Sequence, residues 1–134
     1  MRTKRVMMLA VIIIMSIITA KSNLIEEIGH LVTATKYHPV KTQCHGNPLI
    51  TADGSRINMN DLKSGKIRWI AVSRDLLKYY NYGDTVIVIT DNKKFSGKWV
   101  IHDTMNPKSR KSIDFLLHPS HNHVVPRRVK IIPV

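Results

Sequence analysis

Cysteine, acidic residues and aromatics are what this sequence has least of: one Cys, nine Asp+Glu and 6% aromatics in 134 residues. With Cys44 alone, no intramolecular disulfide forms, and the fold must rest on its hydrophobic core. Cys44 lies too far past the N-terminal apolar run for lipid attachment, and its neighbour His45 points away from it on an extended chain, so a structural role is the simpler reading. Sparse aromatics leave little to interleave with the Lys and Arg residues, which are scattered through loops and strand ends, so nucleic acid is not expected as a partner. There is no Gly-rich phosphate loop, no nucleophile elbow and no internal repeat. His118, His121 and His123 fall in a Pro-containing stretch without a partner cysteine or a His-Glu-x-x-His helix, and no metal site is expected there.

The shortage of acids leaves 21 Lys+Arg against nine, a formal charge of +12, which points to a polyanionic partner or surface. A 43% hydrophobic share suits a packed core, and the length leaves room for one domain. Residues 1–20 stand apart from that domain. Arg2, Lys4 and Arg5 precede an apolar run from Val6 to Ile18, the charge and length of a signal peptide, with a candidate cleavage point after Ala20. Ile18 is larger than such a site prefers, so an uncleaved membrane anchor is the competing reading. Removal of these residues leaves 18 cations against nine anions, still +9.

Residues 21–30 read as a polar connector, and residues 31–134 as an all-β domain. Leu31–Tyr37, Ile67–Val72, Thr85–Thr90, Lys98–His102, Ser112–Leu117 and Arg128–Ile132 are short, β-branched or aromatic, and bounded by turn formers. Ser73–Tyr80 is the one helix expected, with Ser73 as cap and Leu76, Leu77 and Tyr80 on one face. Six short strands are best closed into a barrel, which leaves no exposed edges. His38–Lys66 reads as a long loop of the kind that carries function.

Among the acids, Asp75 is placed to complement a helix dipole, and Asp53, before Gly54, to cap a turn. Asp103 ends the strand Trp-Val-Ile-His, and Asp114 lies within the apolar run Ile-Asp-Phe-Leu-Leu. A carboxyl in such a strand is costly unless paired or functional, and burial beside a second acid raises its pKa toward that of a general acid. Pairing of Asp114 with Arg110 or Lys111 is the structural alternative.

The ordered segments Thr33-Ala-Thr-Lys-Tyr37, Pro48-Leu-Ile-Thr-Ala-Asp-Gly54, Ile70-Ala-Val72, Tyr82-Gly-Asp-Thr-Val86, Gly97-Lys-Trp-Val-Ile-His-Asp-Thr-Met105 and Arg110-Lys-Ser-Ile-Asp114 resemble the three-aspartate (3D) domain. That family is grouped with the RlpA-like and barwin-like double-psi β-barrels and related to membrane-bound lytic transglycosylase A. The resemblance runs from about Val32 to the C-terminus and implies a six-stranded double-psi β-barrel with an open groove. It implies cleavage of peptidoglycan glycan strands between N-acetylmuramic acid and N-acetylglucosamine, without water or cofactor, by one carboxyl acting first as acid and then as base. Two family aspartates fall on Asp103 and Asp114. The first falls on Ser73, and the Gly-Gly after Asp-Thr is replaced by Met105-Asn106. The expectation is therefore an exported, monomeric peptidoglycan lytic transglycosylase, with Asp114 and Asp103 catalytic, Tyr37, Asp53, Thr104 and Trp99 as weaker groove candidates, and the core as the alternative place for Trp99. The alternative is a cell-wall glycan-binding module without catalysis.

Overall fold

A computed structural model describes residues 2–134, with backbone alone for 22–27. The apolar run lies in one continuous helix, α1 (Arg2–Ile28). From Val6 to Ile18 its large apolar side chains stand more than half exposed, packed against nothing. Taken alone that run is too short to span a bilayer, which needs about 20 residues. The helix continues on both sides of it, and Arg2–Lys21, 20 residues with mean hydropathy 1.9, is long and apolar enough to cross a membrane. A signal sequence and an anchor both have this form. The backbone remains helical to Ile28, so only Gly29 separates α1 from the first strand.

All six predicted strand windows contain a strand: β1 (His30–Tyr37), β2 (Trp69–Val72), β3 (Thr85–Ile89), β4 (Gly97–Thr104), β5 (Ser112–Leu116) and β6 (Arg128–Pro133). They close into a barrel in the order β1-β5-β2-β4-β3-β6. The pairs β1/β5 and β2/β4 are parallel and the other four antiparallel. Alternation along the strands sends Val32, Ala34, Ile70, Val72, Val86, Val88, Trp99, Ile101, Ile113, Phe115, Val129 and Ile131 into one interior cluster. Full burial of one such Ile or Phe stabilises the fold by about 1.5–3 kcal/mol, which makes this cluster the main support of a disulfide-free domain.

A second apolar cluster lies outside the barrel. Tyr37, Ala71 and Leu116, on the outer face of β1, β2 and β5, pack with Ile57 and Leu62 from the segment after β1. That segment, expected as a loop, contains a short helix, α2 (Met59–Ser64). The Asn58 side chain accepts from the amides of Asn60 and Asp61 at its start, and Gly65 ends it in the left-handed region at φ 81°. Both signals stand in the sequence, but six residues carry too little periodicity to reveal them. The helix expected over Ser73–Tyr80 is a shorter 3₁₀ turn, Arg74–Lys78, and Ser73 does not cap it. Its hydroxyl accepts the Ser112 amide instead (3.0 Å), so it ties β2 to β5.

Candidate functional site

One irregularity in the barrel wall builds the site. Along β2, Ile70 pairs with Ile101 of β4, but the next residue, Ala71, pairs with Asp103, so β4 holds one extra residue there. A bulge of this kind re-aims the side chains that follow it. Regular alternation from Ile101 would send Asp103 inward. Instead, Asp103 receives the Tyr37 hydroxyl, and His102 packs against Trp69, on the same outer face as Ala71. On the other side of β2, Ala71 pairs with Asp114 of β5. The two acids therefore flank one small residue from opposite sides, and Tyr37 feels the charge of both.

Their surroundings differ. Asp103 is saturated with donors: Oδ1 accepts from the amides of Ala52 (3.0 Å) and Thr104 (2.9 Å), and Oδ2 from the Tyr37 hydroxyl (2.9 Å). Burial, and then the charge and hydrogen bond of Asp103, push the Tyr37 hydroxyl far above its ordinary pKa, so it remains a donor. Asp114 has a single donor among the described residues, the Thr35 hydroxyl on Oδ1 (2.9 Å). Its Oδ2 has no hydrogen-bond partner among the described residues. Burial, reinforced by the negative charge of Asp103 and opposed by Thr35 and His38, raises Asp114 to about 6. Neither Arg110 nor Lys111 forms an ion pair with it, since the one ion pair among the described residues joins His102 and Asp53.

Asp53 belongs to the turn that overlies the bulge. Its Oδ2 lies 2.6 Å from His102 Nδ1, and its Oδ1 accepts from the Thr51 hydroxyl (2.6 Å) and the Ser55 amide (3.0 Å). Burial works against the charge, but these bonds outweigh it and hold Asp53 at about 2. It is thus a clamp ionised at neutral pH. The Asp53 amide also donates to the His102 carbonyl (3.3 Å), so the turn is fixed to the residue beside Asp103.

Of the six residues singled out from the sequence, Tyr37, Asp53, Thr104, Asp103 and Asp114 are joined in this region, Thr104 through its amide. Trp99 is not. It is 3% exposed in the barrel core, its indole N–H donating to the Phe95 carbonyl (2.7 Å), and the Arg68 guanidinium lies over its ring. Trp99 thus takes the core position, the alternative to a groove one. The outward aromatic is Trp69, half-buried on the Ala71 face with its ring 4.3 Å from that of His102. Sequence reasoning missed Trp69 because Trp69, Ile70, Ala71 and Val72 are all apolar and hide the alternation.

Ser73 is fully buried and committed to Ser112. Asp75 accepts the Lys111 amide (3.0 Å). Burial opposes its charge, but Ser73 and the Lys111 amide hold it below its ordinary value. Lys111 is the one described non-glycine residue at positive φ (43°), so Asp75 secures a strained turn leading into the Asp114 strand. The Cys44 thiol, half-buried and pushed up by burial, is no ready nucleophile. No group of three or more metal-ligating side chains occurs among the described residues. Compared with known proteins, the chain matches no family model and no curated protein.

Proposed function

We propose that this chain is an exported member of the double-psi β-barrels related to the 3D domain, acting as a peptidoglycan lytic transglycosylase with Asp114 as its acid/base. The observation that carries this reading is the contrast between the two acids. Asp114, raised to about 6 and accepting only the Thr35 hydroxyl among the described residues, is suited to release and recover a proton near neutral pH, whereas both oxygens of Asp103 accept hydrogen bonds from the protein. The strand order and the two parallel pairs support the barrel assignment.

In this mechanism protonated Asp114 delivers its proton to the glycosidic oxygen as the bond to the muramyl C1 breaks. The muramyl C6 hydroxyl attacks C1, and its proton passes to the Asp114 carboxylate. One C–O bond is lost, one is formed, and the acid is regenerated without water. The fixed charge of Asp103 favours the positive charge that develops on the sugar. Trp69 supplies an aromatic surface for a sugar ring, and the excess of cations favours association with an anionic envelope.

Ser73 favours the second reading, a glycan-binding module without catalysis, because a buried structural hydroxyl stands where the family has an acid. Incubation of the full-length chain with sacculi and mass spectrometry of the soluble products separates the two. Anhydromuropeptides are expected. Pelleting on sacculi without release would leave the binding module, and reducing ends would indicate hydrolysis by two carboxylates.

A further inference from the structure

A different part of the molecule collects unpaired positive charge. At the end of the barrel where β1, β3 and β5 finish, the segments between β3 and β4 and between β5 and β6 meet around an open cleft of about 500 Å³, lined by Asn92, Lys93, Lys94, Asn122, His123 and Val124. The cleft is built by side chains. Lys36 Nζ donates to the His123 carbonyl (2.9 Å) and to Asn122 Oδ1 (3.4 Å), Lys94 Nζ lies 3.1 Å from His123 Nδ1, and Asn92 Nδ2 donates to the Val124 carbonyl (3.4 Å).

Two ammonium groups thus converge on one residue. No carboxylate lines the cleft, and neither Lys36, Lys93 nor Lys94 has an acidic partner among the described residues. Asp91, beside the cleft, is exposed and accepts from its neighbour Thr90 at 3.5 Å. The field is felt by His123, which partial burial and then Lys94, His121 and Lys36 hold below its ordinary pKa, leaving Nδ1 free to accept from Lys94. Converging cations without counter-charge, on segments cross-tied by hydrogen bonds, are organised to receive a multiply charged oxyanion, since each ammonium keeps further N–H donors.

We propose that this cleft is a phosphate-binding site, in which Lys94 and Lys93 hold a phosphate or phosphodiester group and Lys36 braces the segment bearing Asn122 and His123. It is separate from the Asp103/Asp114 face and does not depend on the reading of that face. The test is a titration of the full-length chain, in neutral-detergent micelles, with inorganic phosphate, followed by amide chemical shifts and referenced to sodium chloride at equal ionic strength. Saturable shifts centred on residues 92–94 and 122–124 are expected. Lys94→Ala and Lys93→Ala should each weaken binding by about ten-fold, the scale of one charge-assisted hydrogen bond. Lys108→Ala, an equal charge change on the remote loop between β4 and β5, should leave binding unchanged. Shifts no larger than those from chloride, or equal weakening by Lys108→Ala, would overturn the site. A parallel titration with a glycerol phosphodiester identifies the source. Tighter binding than inorganic phosphate assigns a phosphodiester polymer or headgroup, weaker binding assigns free phosphate, and both support the site.

Discussion

Asp103 and Asp114 face the same residue, Ala71, from strands on either side of it, and the charge of the first helps to keep the proton on the second. Two strand spacings separate their backbones, about 10 Å, and the alanine between them is buried in the cluster of Tyr37, Ile57, Leu62 and Leu116.

Protonation of Asp114 sets the expected pH dependence of glycan cleavage. With Asp114 raised to about 6, release of anhydromuropeptides should be greatest below that pH and fall about ten-fold per unit well above it. Asp114→Asn should reduce release by about 10²-fold or more at every pH. A wild-type rate that is flat between pH 5 and 8 would remove Asp114 from the acid role.

The same acid predicts a stability effect with a definite sign. A folded-state pKa raised above the unfolded value means that the favourable contribution is present at low pH and is lost as pH rises through about 6. Asp114→Asn should therefore be more stable than wild type at pH 8, by roughly 1–2 kcal/mol, and equal to it near pH 4. Denaturant titrations at the two pH values measure the difference.

Asp53 titrates in the opposite sense. Held at about 2, it contributes stability that is present above the ordinary carboxylate range and lost as pH falls through about 2. Asp53→Ala should cost about 1–3 kcal/mol at pH 7 by freeing the turn and leaving the Thr51 hydroxyl and His102 Nδ1 only their longer bonds to Ser55. Equal denaturation midpoints for the variant and wild type at pH 7 would contradict the clamp.

The two tryptophans should separate cleanly. Trp99→Ala removes a core ring and should destabilise the fold by about 3–5 kcal/mol. Trp69→Ala should reduce pelleting on sacculi with a smaller loss of stability, since its ring is only half-buried. Unchanged pelleting of a folded Trp69→Ala protein would exclude Trp69 as a sugar platform.

What the sequence revealed follows from which forces act locally. The six strands were legible because β-branched runs such as Thr85–Ile89 alternate between turn formers, and closure followed from strand number. The bulge was not legible, since one extra residue in β4 leaves no mark on composition, yet it turns Asp103 from the core to the outer face. The exchange of Trp99 for Trp69 has a related cause. The outer face near Tyr37, Ala71 and Leu116 is covered by the segment bearing Ile57 and Leu62, so β2 is apolar on both sides and the alternation that would distinguish groove from core is lost. The acids themselves were legible, but the contrast in their surroundings was not. It depends on the Ala52 amide and the Tyr37 hydroxyl, which arrive from distant parts of the chain.

Closure of the barrel also governs how copies of this chain can meet. Every strand is paired on both sides, so no row of free amides and carbonyls is available to template strand addition. If α1 holds many copies on one membrane, the crowding this produces in two dimensions cannot be relieved by edge-to-edge polymerisation. Barrels brought close together would meet through their loops, where lysines and arginines repel one another, and would remain separate working units along the surface.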